Sequence, residues 1–446
     1  CPQHNFEEMY YYRWWSLRKH IKETPVGYGM TEFLVQRSYS DKYNLIACAI
    51  GHHIYESRWL RDPKYLDQII HTWYRGNDGG PMKKMDKFSS WNADAVLARY
   101  MVDGDKDFML DMTKDLETEY QRWERTNRLK NGLYWQGDVQ DGMEESISGG
   151  RNKKYARPTI NSYMYGNAKA LSIMGILSGD EGMAMRYGMR ADTLKSLVEN
   201  DLWNTRHQFF ETMRTDSSAN VREAIGYIPW YFNLPDTTKK YEVAWKEIMD
   251  EKGFSAPYGL TTAERRHPEF RTRGVGKCEW DGAIWPFASA QTLTAMANFM
   301  NNYPQTVLSD SVYFRQMELY VESQYHRGRP YIGEYLDEVT GYWLKGDQER
   351  SRYYNHSTFN DLMITGLIGL RPRLDDTIEI NPLIPADKWD WFCLDNVLYH
   401  GHNLTILWDK NGDRYHCGKG LRIFVNGKEA GHADTLTRLV CENALK

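Results

Sequence analysis

Residues 157–203 read RPTINSYMYGNAKALSIMGILSGDEGMAMRYGMRADTLKSLVENDLW and predict two helices joined by a turn. Arg157-Pro158-Thr159 leads into the first helix, and Gly179-Asp180 supplies the turn before the second. The expected fold consists of helical hairpins of this kind.

Ten further segments have helical spacing of bulky residues or helix-start signals. Asp62-Pro63 places a proline at an early helical position, and Ser89-Ser90 offers an N-cap. These helices fall at 5–21, 43–62, from 63, from 90, 107–125, 218–232, 237–249, 285–300, 309–325 and 354–370. Twelve helices paired as six hairpins predict a mainly α fold, an (α/α)6 barrel. The sequence contains no clear internal repeat, so a solenoid is less favoured.

The character of the chain changes after Arg373. Short β-rich runs follow, separated by turn residues that include Asn411-Gly412 and Asn426-Gly427. We therefore expect a catalytic barrel over 1–373 and a small β-rich region over 374–446 that packs on it.

Composition excludes several classes of protein. The formal net charge is −4 and no basic stripe is present, which argues against nucleic-acid binding. No run approaches the ~18 apolar residues of a membrane span. The chain contains 16 Trp and 31 Tyr, and aromatic faces of this kind stack well on sugar rings, although large helical domains also use them as core.

Two segments combine acids with aromatics. Residues 134–150 read YWQGDVQDGMEESISGG, in which the spacing of glycines predicts a loop, and residues 331–341 read YIGEYLDEVTG. Glycoside hydrolysis requires one carboxyl group as acid and a second as base or nucleophile. The plainer interpretation is a pair of solvated acidic turns.

The first segment, followed by RPTINSYMYGNAKAL, resembles the acid-bearing stretch of clan-G-type (α/α)6 glycosidases, such as trehalases, processing α-glucosidases and mannosylglycerate hydrolases. The resemblance implies that Glu144 is the general acid. The family acid is Asp, so Asp141 and Asp138 remain competitors. The barrel also resembles bacterial rhamnosidase-like or trehalase-like sequences, including those of gut Bacteroides.

The second segment resembles the family signature whose first Glu activates water, which implies that Glu334 is the general base. Between the two, CEWDGAIWP over 278–286 resembles the segment that lines the sugar pocket. There Asp281 replaces the usual basic residue. The substrate-binding residues expected from these segments are Trp135, Asp138, Trp280, Asp281, Trp285 and Tyr335.

Four more residues are candidates for sugar contacts: Trp91, Asn92, Tyr354 and His356. For each pair the alternative is a structural role at a helix start. The adjacent His52 and His53 diverge on a helix and form a poor chelating pair, so we predict no metal there.

The sequence therefore predicts a glycoside hydrolase that is inverting and exo-acting and releases a terminal sugar from an oligosaccharide or glycoconjugate. The alternatives are a catalytically inactive carbohydrate-binding protein, or a sugar lyase or phosphorylase on the same barrel. We expect no cofactor; such barrels accept a structural calcium ion, but no loop has calcium-binding spacing. The chain starts at Cys1 without Met, so we expect a longer protein. Resemblance implies a periplasmic or secreted bacterial protein, and the oligomeric state stays open.

Overall fold

The computed structural model describes residues 1–238 and 240–445. Position 239, in the predicted helix 237–249, and position 446, in the predicted β-rich region, lie outside the described residues. The α-helices of the described part are α1 (His4–His20), α2 (Ile50–Ser57), α3 (Pro63–Arg75), α4 (Asn92–Asp103), α5 (Lys106–Asn127), α6 (Pro158–Ser178), α7 (Glu181–Leu197), α8 (Ile228–Tyr231), α9 (Pro286–Asn302) and α10 (Asp310–Ser323).

The described residues also form 3-10 and π-helical segments. Two π-helical segments cover Val198–Leu202 and Leu362–Leu367. The 3-10 turns are Lys42–Asn44, Ala47–Ala49, Ala224–Tyr227, Tyr241–Ile248 and Glu349–Ser351.

The inner ring of the barrel consists of α2, α4, α6, α8, α9 and the π-helical segment Leu362–Leu367, and each of the first five packs on the next member. α6 is buried on nearly all sides, whereas its outer partner α7 exposes Met185 and Met189. A helix that is apolar all round belongs inside, and an amphipathic helix covers it. The fold is therefore the mainly α barrel of helical hairpins that the sequence predicts.

The ring closes between its first and last members. The carboxylate of Glu56, near the end of α2, accepts hydrogen bonds from the backbone N–H groups of Phe359, Asn360 and Asp361. Free N–H groups at a helix start attract an anion. Arg58 adds an ion pair of 2.8 Å to Asp361. Both contacts join residues about 300 positions apart in sequence.

Four predicted helices differ from the structure. The one expected over 237–249 is a 3-10 helix over Tyr241–Ile248. The helix expected over 43–62 starts only at Ile50, because Tyr43 and Asn44 have left-handed backbone angles (φ 59° and 62°). The one expected over 218–232 is extended up to Glu223, which forms a β-bridge with Ala263. The one expected over 354–370 begins after residue 358.

Short antiparallel β-hairpins lie within the loops of the barrel. They pair β1 (Ile21–Thr24) with β2 (Gly27–Met30), β3 (Trp135–Gln136) with β4 (Tyr155–Ala156), β5 (Trp203–Asn204) with β6 (Phe209–Phe210), β7 (Ser255–Ala256) with β8 (Gly259–Leu260), and β9 (Tyr325–His326) with β10 (Arg329–Pro330).

The C-terminal region is an antiparallel sheet in the order β12 (Trp391–Tyr399), β13 (His402–Asp409), β14 (Gly420–Val425) and β15 (Lys428–Ala433). A separate pair joins β11 (Ile378–Ile380) to β16 (Leu439–Cys441). Asn426 and Gly427 both have positive φ, as a tight β14–β15 turn requires. The His400 N–H bonds to the carbonyl of Val102, so the sheet docks at the C-terminal end of α4.

The longest loops run from the end of an outer helix to the start of the next inner helix, and they gather at one mouth of the barrel. They include residues 21–49, 128–157, 249–285 and 324–359, which hold the acidic and aromatic motifs of the sequence. No helix in the described ranges is long and apolar enough to cross a membrane.

Candidate active site

Glu334 lies on a short extended segment at this mouth. Its neighbour Leu336 exchanges backbone hydrogen bonds with Ile284, which joins the loop before α9 to the loop after α10. Ile332 and Leu336 are buried against Trp343 and anchor the segment on both sides of the glutamate. The position of the Glu334 carboxylate is thus fixed by its apolar neighbours.

The Glu334 carboxylate is buried and contacts three polar side chains. The Ser351 hydroxyl donates a 2.6 Å hydrogen bond to Oε1, and Arg350 lies 3.2 Å from the same oxygen. The Lys345 ammonium lies 3.5 Å from Oε2. Two cations beside one carboxylate stabilise its negative charge.

Glu144 lies half-buried in the loop between β3 and β4. Burial is the main cause that raises the pKa of its carboxyl to about 7, and the charges of Asp138 and Glu334 raise it further. Because Glu144 and Glu334 influence each other electrostatically, the structure brings the two predicted catalytic groups into one site. Both groups are withdrawn from water, but Glu334 has two cations beside it, whereas Glu144 forms no ion pair within the described residues.

The loop that holds Glu144 is compact and turned. The N–H of Met143 bonds to the carbonyl of Asp138, and Gly142 has a φ of 73°. Glu145 is also left-handed (φ 69°), and its carboxylate pairs with the exposed Arg151 at 2.9 Å. The two adjacent glutamates therefore have different surroundings: burial raises the pKa of Glu144, whereas Glu145 is paired with an exposed arginine.

Asp141 and Asp138, the competitors for the acid, are both buried. The Asp141 carboxylate forms a fully buried ion pair of 2.7 Å with Arg157 and accepts a hydrogen bond from Thr159. It anchors the loop to the start of α6. Asp138 accepts a 2.8 Å hydrogen bond from the N–H of Val139 and acts on Glu144 through its charge.

Three of the predicted aromatics form one continuous stack. The rings of Trp280 and Trp285 lie 4.3 Å apart, and the rings of Trp285 and Tyr335 lie 4.5 Å apart, each pair with an interplanar angle of 18°. Lys345 lies 5.0 Å from the centre of the Tyr335 ring, so the stack borders the surroundings of Glu334. All three side chains are buried, so the stack forms an aromatic wall behind the site.

Asp281, on the same segment, has no exposed surface. Its Oδ2 accepts hydrogen bonds from the backbone N–H groups of Arg273 and Gly274, at 2.6 and 2.9 Å. The structure therefore gives Asp281 a role in shaping the 271–281 loop, and not an open position towards a sugar.

Trp91, Asn92 and Trp135 contact groups other than Glu144 and Glu334. Trp91 and Asn92 have no exposed surface, and the Asn92 amide donates to the buried Glu119 at 3.0 Å. The ring of Trp135 lies under the Lys154 ammonium, 4.5 Å from it. Trp91 and Asn92 are thus buried at a helix start, which is the structural role that the sequence left open as the alternative to sugar binding.

Tyr354 and His356 both lie within the site region. The Tyr354 hydroxyl donates a 2.6 Å hydrogen bond to Oε1 of Glu32, and the Tyr354 ring contacts that of His356 at 3.6 Å. Burial holds the pKa of His356 well below its ordinary value, so this imidazole is neutral. It lies 6.3 Å from the ring of Trp285.

Glu32 is the residue that the sequence interpretation missed. It is buried, and the charges of Glu334 and Glu144 act on it. Its only sequence signal is an acid inside the otherwise apolar run MTEFLV after the first hairpin. Cys278 was also overlooked as a site residue: its half-buried thiol is influenced by Glu144, Glu334 and Lys345.

No group of three or more His, Cys, Asp or Glu side chains in residues 1–238 and 240–445 is arranged to hold a metal ion. The predicted divergence of the two adjacent histidines agrees with their surroundings. His53 bonds to the carbonyl of Asn355 at 2.8 Å, and His52 packs edge-on against Trp91 and Phe287.

A helical-hairpin barrel with two carboxyl groups and an aromatic wall at one mouth defines a glycoside hydrolase of the six-hairpin type. The chain belongs to the mannosylglycerate hydrolase MGH1-like glycoside hydrolase family, whose model matches residues 42–357. Residues 370–432 match the C-terminal domain of glycosyl hydrolase family 65. The chain is therefore an enzyme that acts on a carbohydrate substrate.

Solved structures share this fold at low sequence identity. The GH63 mannosylglycerate hydrolase of Thermus thermophilus in complex with glucose is 12% identical (TM-score 0.59), with 80% of this chain and 99% of that chain covered. Its complex with Tris and D-glycerate has a TM-score of 0.61 at 12% identity, with 79% and 98% covered. A GH78 rhamnosidase of Bacillus sp. GL1 is 11% identical (TM-score 0.62), with 95% and 41% covered.

Proposed function

We propose that this glycoside hydrolase is inverting and exo-acting, with Glu144 as general acid and Glu334 as general base. The observation that carries the proposal is the contrast between the two carboxyl groups. Burial raises the pKa of Glu144 to about 7, which keeps a proton available for the leaving oxygen at neutral pH. Glu334 is surrounded by Lys345, Arg350 and Ser351, as suits a base that must stay negative.

In the proposed reaction, Glu334 removes a proton from a water molecule that attacks the anomeric carbon. Glu144 donates its proton to the glycosidic oxygen as that bond breaks. The product leaves with inverted configuration, Glu144 is left as a carboxylate and Glu334 as an acid, and proton exchange with solvent resets both groups.

Two observations support exo action and a sugar of limited size. Glu334 is only 4% exposed, so a chain end reaches it more readily than the middle of a polymer does. The aromatic wall of Trp280, Trp285 and Tyr335 is buried, borders the same space and limits its width. Asp141 serves as the loop anchor in this scheme, and no organic cofactor takes part.

The test combines a substrate panel with leaving-group dependence. Proton NMR follows the first anomer released from α-linked glucosides, mannosides, galactosides and rhamnosides, and from mannosylglycerate, which the Thermus neighbour is named for. The best substrate is then compared with the matching glycosyl fluoride, because fluoride leaves without a proton from the enzyme.

We expect inverted product first. Glu144→Gln should lose ~10²–10⁴-fold on the glycoside but far less on the fluoride, because only the glycoside needs the acid. Glu334→Gln should lose activity on both, because both need an activated water. Glu145→Gln, which removes the paired neighbour of Glu144, is the matched control and should stay active. First release of the retained anomer, or equal losses in Glu144→Gln on both substrates, would refute the assignment.

A further inference from the structure

Glu32 is held at the site by contacts from a distant part of the chain. Its backbone carbonyl accepts a 2.9 Å hydrogen bond from the N–H of Asn355. The adjacent Tyr354 bonds through its N–H to the carbonyl of Ile332, two residues before Glu334. The same tyrosine binds the Glu32 carboxyl through its hydroxyl. One residue thus connects Glu32 to the segment that bears Glu334.

The Glu32 carboxyl is buried without a cationic partner among the described residues. Its hydrogen bond there is the one at Oε1 from Tyr354. Burial, followed by the charges of Glu334 and Glu144, raises the pKa of Glu32 to about 8. Protonation of the carboxyl is therefore favoured at neutral pH. Because Oε1 already accepts a hydrogen bond from the Tyr354 hydroxyl, Oε2 is the oxygen that carries the acidic hydrogen.

We propose that Glu32 is a sugar-binding carboxyl group of the active site, whose Oε2 hydroxyl donates a hydrogen bond to a ring hydroxyl of the bound terminal sugar. This inference rests on the proposed function, since it needs a sugar between Glu144 and Glu334. A neutral carboxyl suits this position for two reasons. It offers a donor and an acceptor, as a sugar hydroxyl does, and it adds no third negative charge beside Glu334.

Tyr354 is the positioning residue of this pair. The Tyr354 ring is wedged between Phe33, at 4.3 Å, and His356, at 3.6 Å, and both contacts restrict its rotation. Its hydroxyl therefore fixes which oxygen of Glu32 accepts and which one is left to donate. Tyr354→Phe should keep the ring packing and lose only this orientation.

The pH dependence of the proposed contact can be isolated. The titratable groups that act on Glu32 or are acted on by it are Tyr39, Cys48, Glu144, Glu334 and Tyr354. Burial raises the pKa of both tyrosines and of the thiol, so these groups stay neutral up to pH 9. Glu144 is the group that titrates in the same range, and Glu144→Gln removes it.

The experiment measures binding of glucose, mannose, galactose and rhamnose, and of their monodeoxy analogues, by calorimetry in the Glu144→Gln background. Adding Glu32→Ala should weaken the best sugar by ~10–100-fold, whereas Glu32→Gln, which keeps an N–H donor, should stay within ~10-fold. With Glu32 present, affinity should fall between pH 7 and 9, and in the Glu32→Gln variant it should stay constant. One deoxy analogue should bind the Glu32→Ala variant as well as the parent sugar does.

Unchanged sugar affinity in a folded Glu32→Ala variant, or a pH dependence that persists in Glu32→Gln, would overturn the role of Glu32 while hydrolysis by the wild type continues. If Glu32→Ala fails to fold, the role of Glu32 is tested with Glu32→Gln and Tyr354→Phe. Tyr354→Phe should then lower both the sugar affinity and kcat/KM. A wild type that neither binds nor hydrolyses any panel sugar would overturn the proposed function together with this inference.

Discussion

The alkaline limb of the pH–rate profile should report the proton of Glu144. Because the pKa of this carboxyl is raised to about 7, half of the molecules carry the proton at pH 7 and about 1% carry it at pH 9. The value of kcat/KM for a glycoside with a poor leaving group should therefore fall by about 50-fold over these two pH units. The matching glycosyl fluoride should show little of this loss.

Asp138→Asn perturbs this limb without disturbing the loop. The amide oxygen of Asn retains the acceptor for the Val139 N–H, while the negative charge that raises the pKa of Glu144 is removed. Burial is the larger cause and remains, so the midpoint should move down by up to about 1 pH unit. Glu145→Gln is the comparison: its charge is paired with Arg151 and does not raise the pKa of Glu144, so this variant should move the midpoint less than Asp138→Asn does.

The assay is kcat/KM from initial rates between pH 5 and 9.5, with thermal unfolding measured at each pH to exclude loss of the fold. A wild-type profile that stays flat from pH 6 to 9 would refute the assignment of Glu144 as acid. A midpoint that stays fixed in Asp138→Asn would refute the electrostatic origin of part of its pKa shift.

Three further predictions concern stability and the site thiol. Asp141→Ala should lower the free energy of unfolding by about 3–5 kcal/mol in urea titrations, because it leaves the buried Arg157 unpaired, and Glu145→Ala should cost under about 1 kcal/mol. Glu32→Gln should unfold at a higher temperature than the wild type at pH 9 and at a similar one at pH 4: because the folded-state pKa of Glu32 is raised from 4.5 to about 8, its contribution to stability is complete below pH 4.5 and is lost as the pH rises through 8. Burial raises the pKa of the half-buried Cys278 thiol to about 11, so its methylthiolation, followed by mass spectrometry, should be slow at pH 7 and faster at pH 9.5. A bound sugar should slow it further, and rapid modification at pH 7 that a bound sugar does not change would contradict its position in the site.

Short stretches of sequence contain the family motifs and the residues that start and end local secondary structure. Pro158 and Gly179 mark the two ends of α6, and the Asp180 side chain caps α7 through the N–H of Met183, so the helical hairpin was predicted from neighbouring residues alone. The strands after Arg373 were likewise predicted from β-rich runs and from the Asn-Gly turns between them. Such features depend on the local backbone, and they defined the helical barrel and its β-rich C-terminal region before any tertiary contact was considered.

Boundaries were wrong where a distant backbone competes with the helix. The extended course of residues 354–358 follows from hydrogen bonds of Tyr354 to Ile332 and of Asn355 to Glu32. The sequence of that segment reads as an acceptable helix start, and nothing within it reveals these partners. The later start of α2 has a more local cause: Tyr43 and Asn44 are left-handed, and the Asn44 amide donates to the carbonyl of Phe33.

The sequence by itself determined the class of enzyme and the two acidic loops, because a glycosidase needs carboxyl groups in recognisable surroundings. Only the tertiary structure distinguished the three candidates for the general acid in the 134–150 loop. Asp141 forms a buried ion pair with Arg157, whereas burial raises the pKa of Glu144, which has no ion pair within the described residues. It also brought in Glu32, which meets Tyr354 across 322 positions of the chain. The charge of a carboxyl group depends on what surrounds it in space, and in a barrel closed by its first and last helices those surroundings come from opposite ends of the sequence.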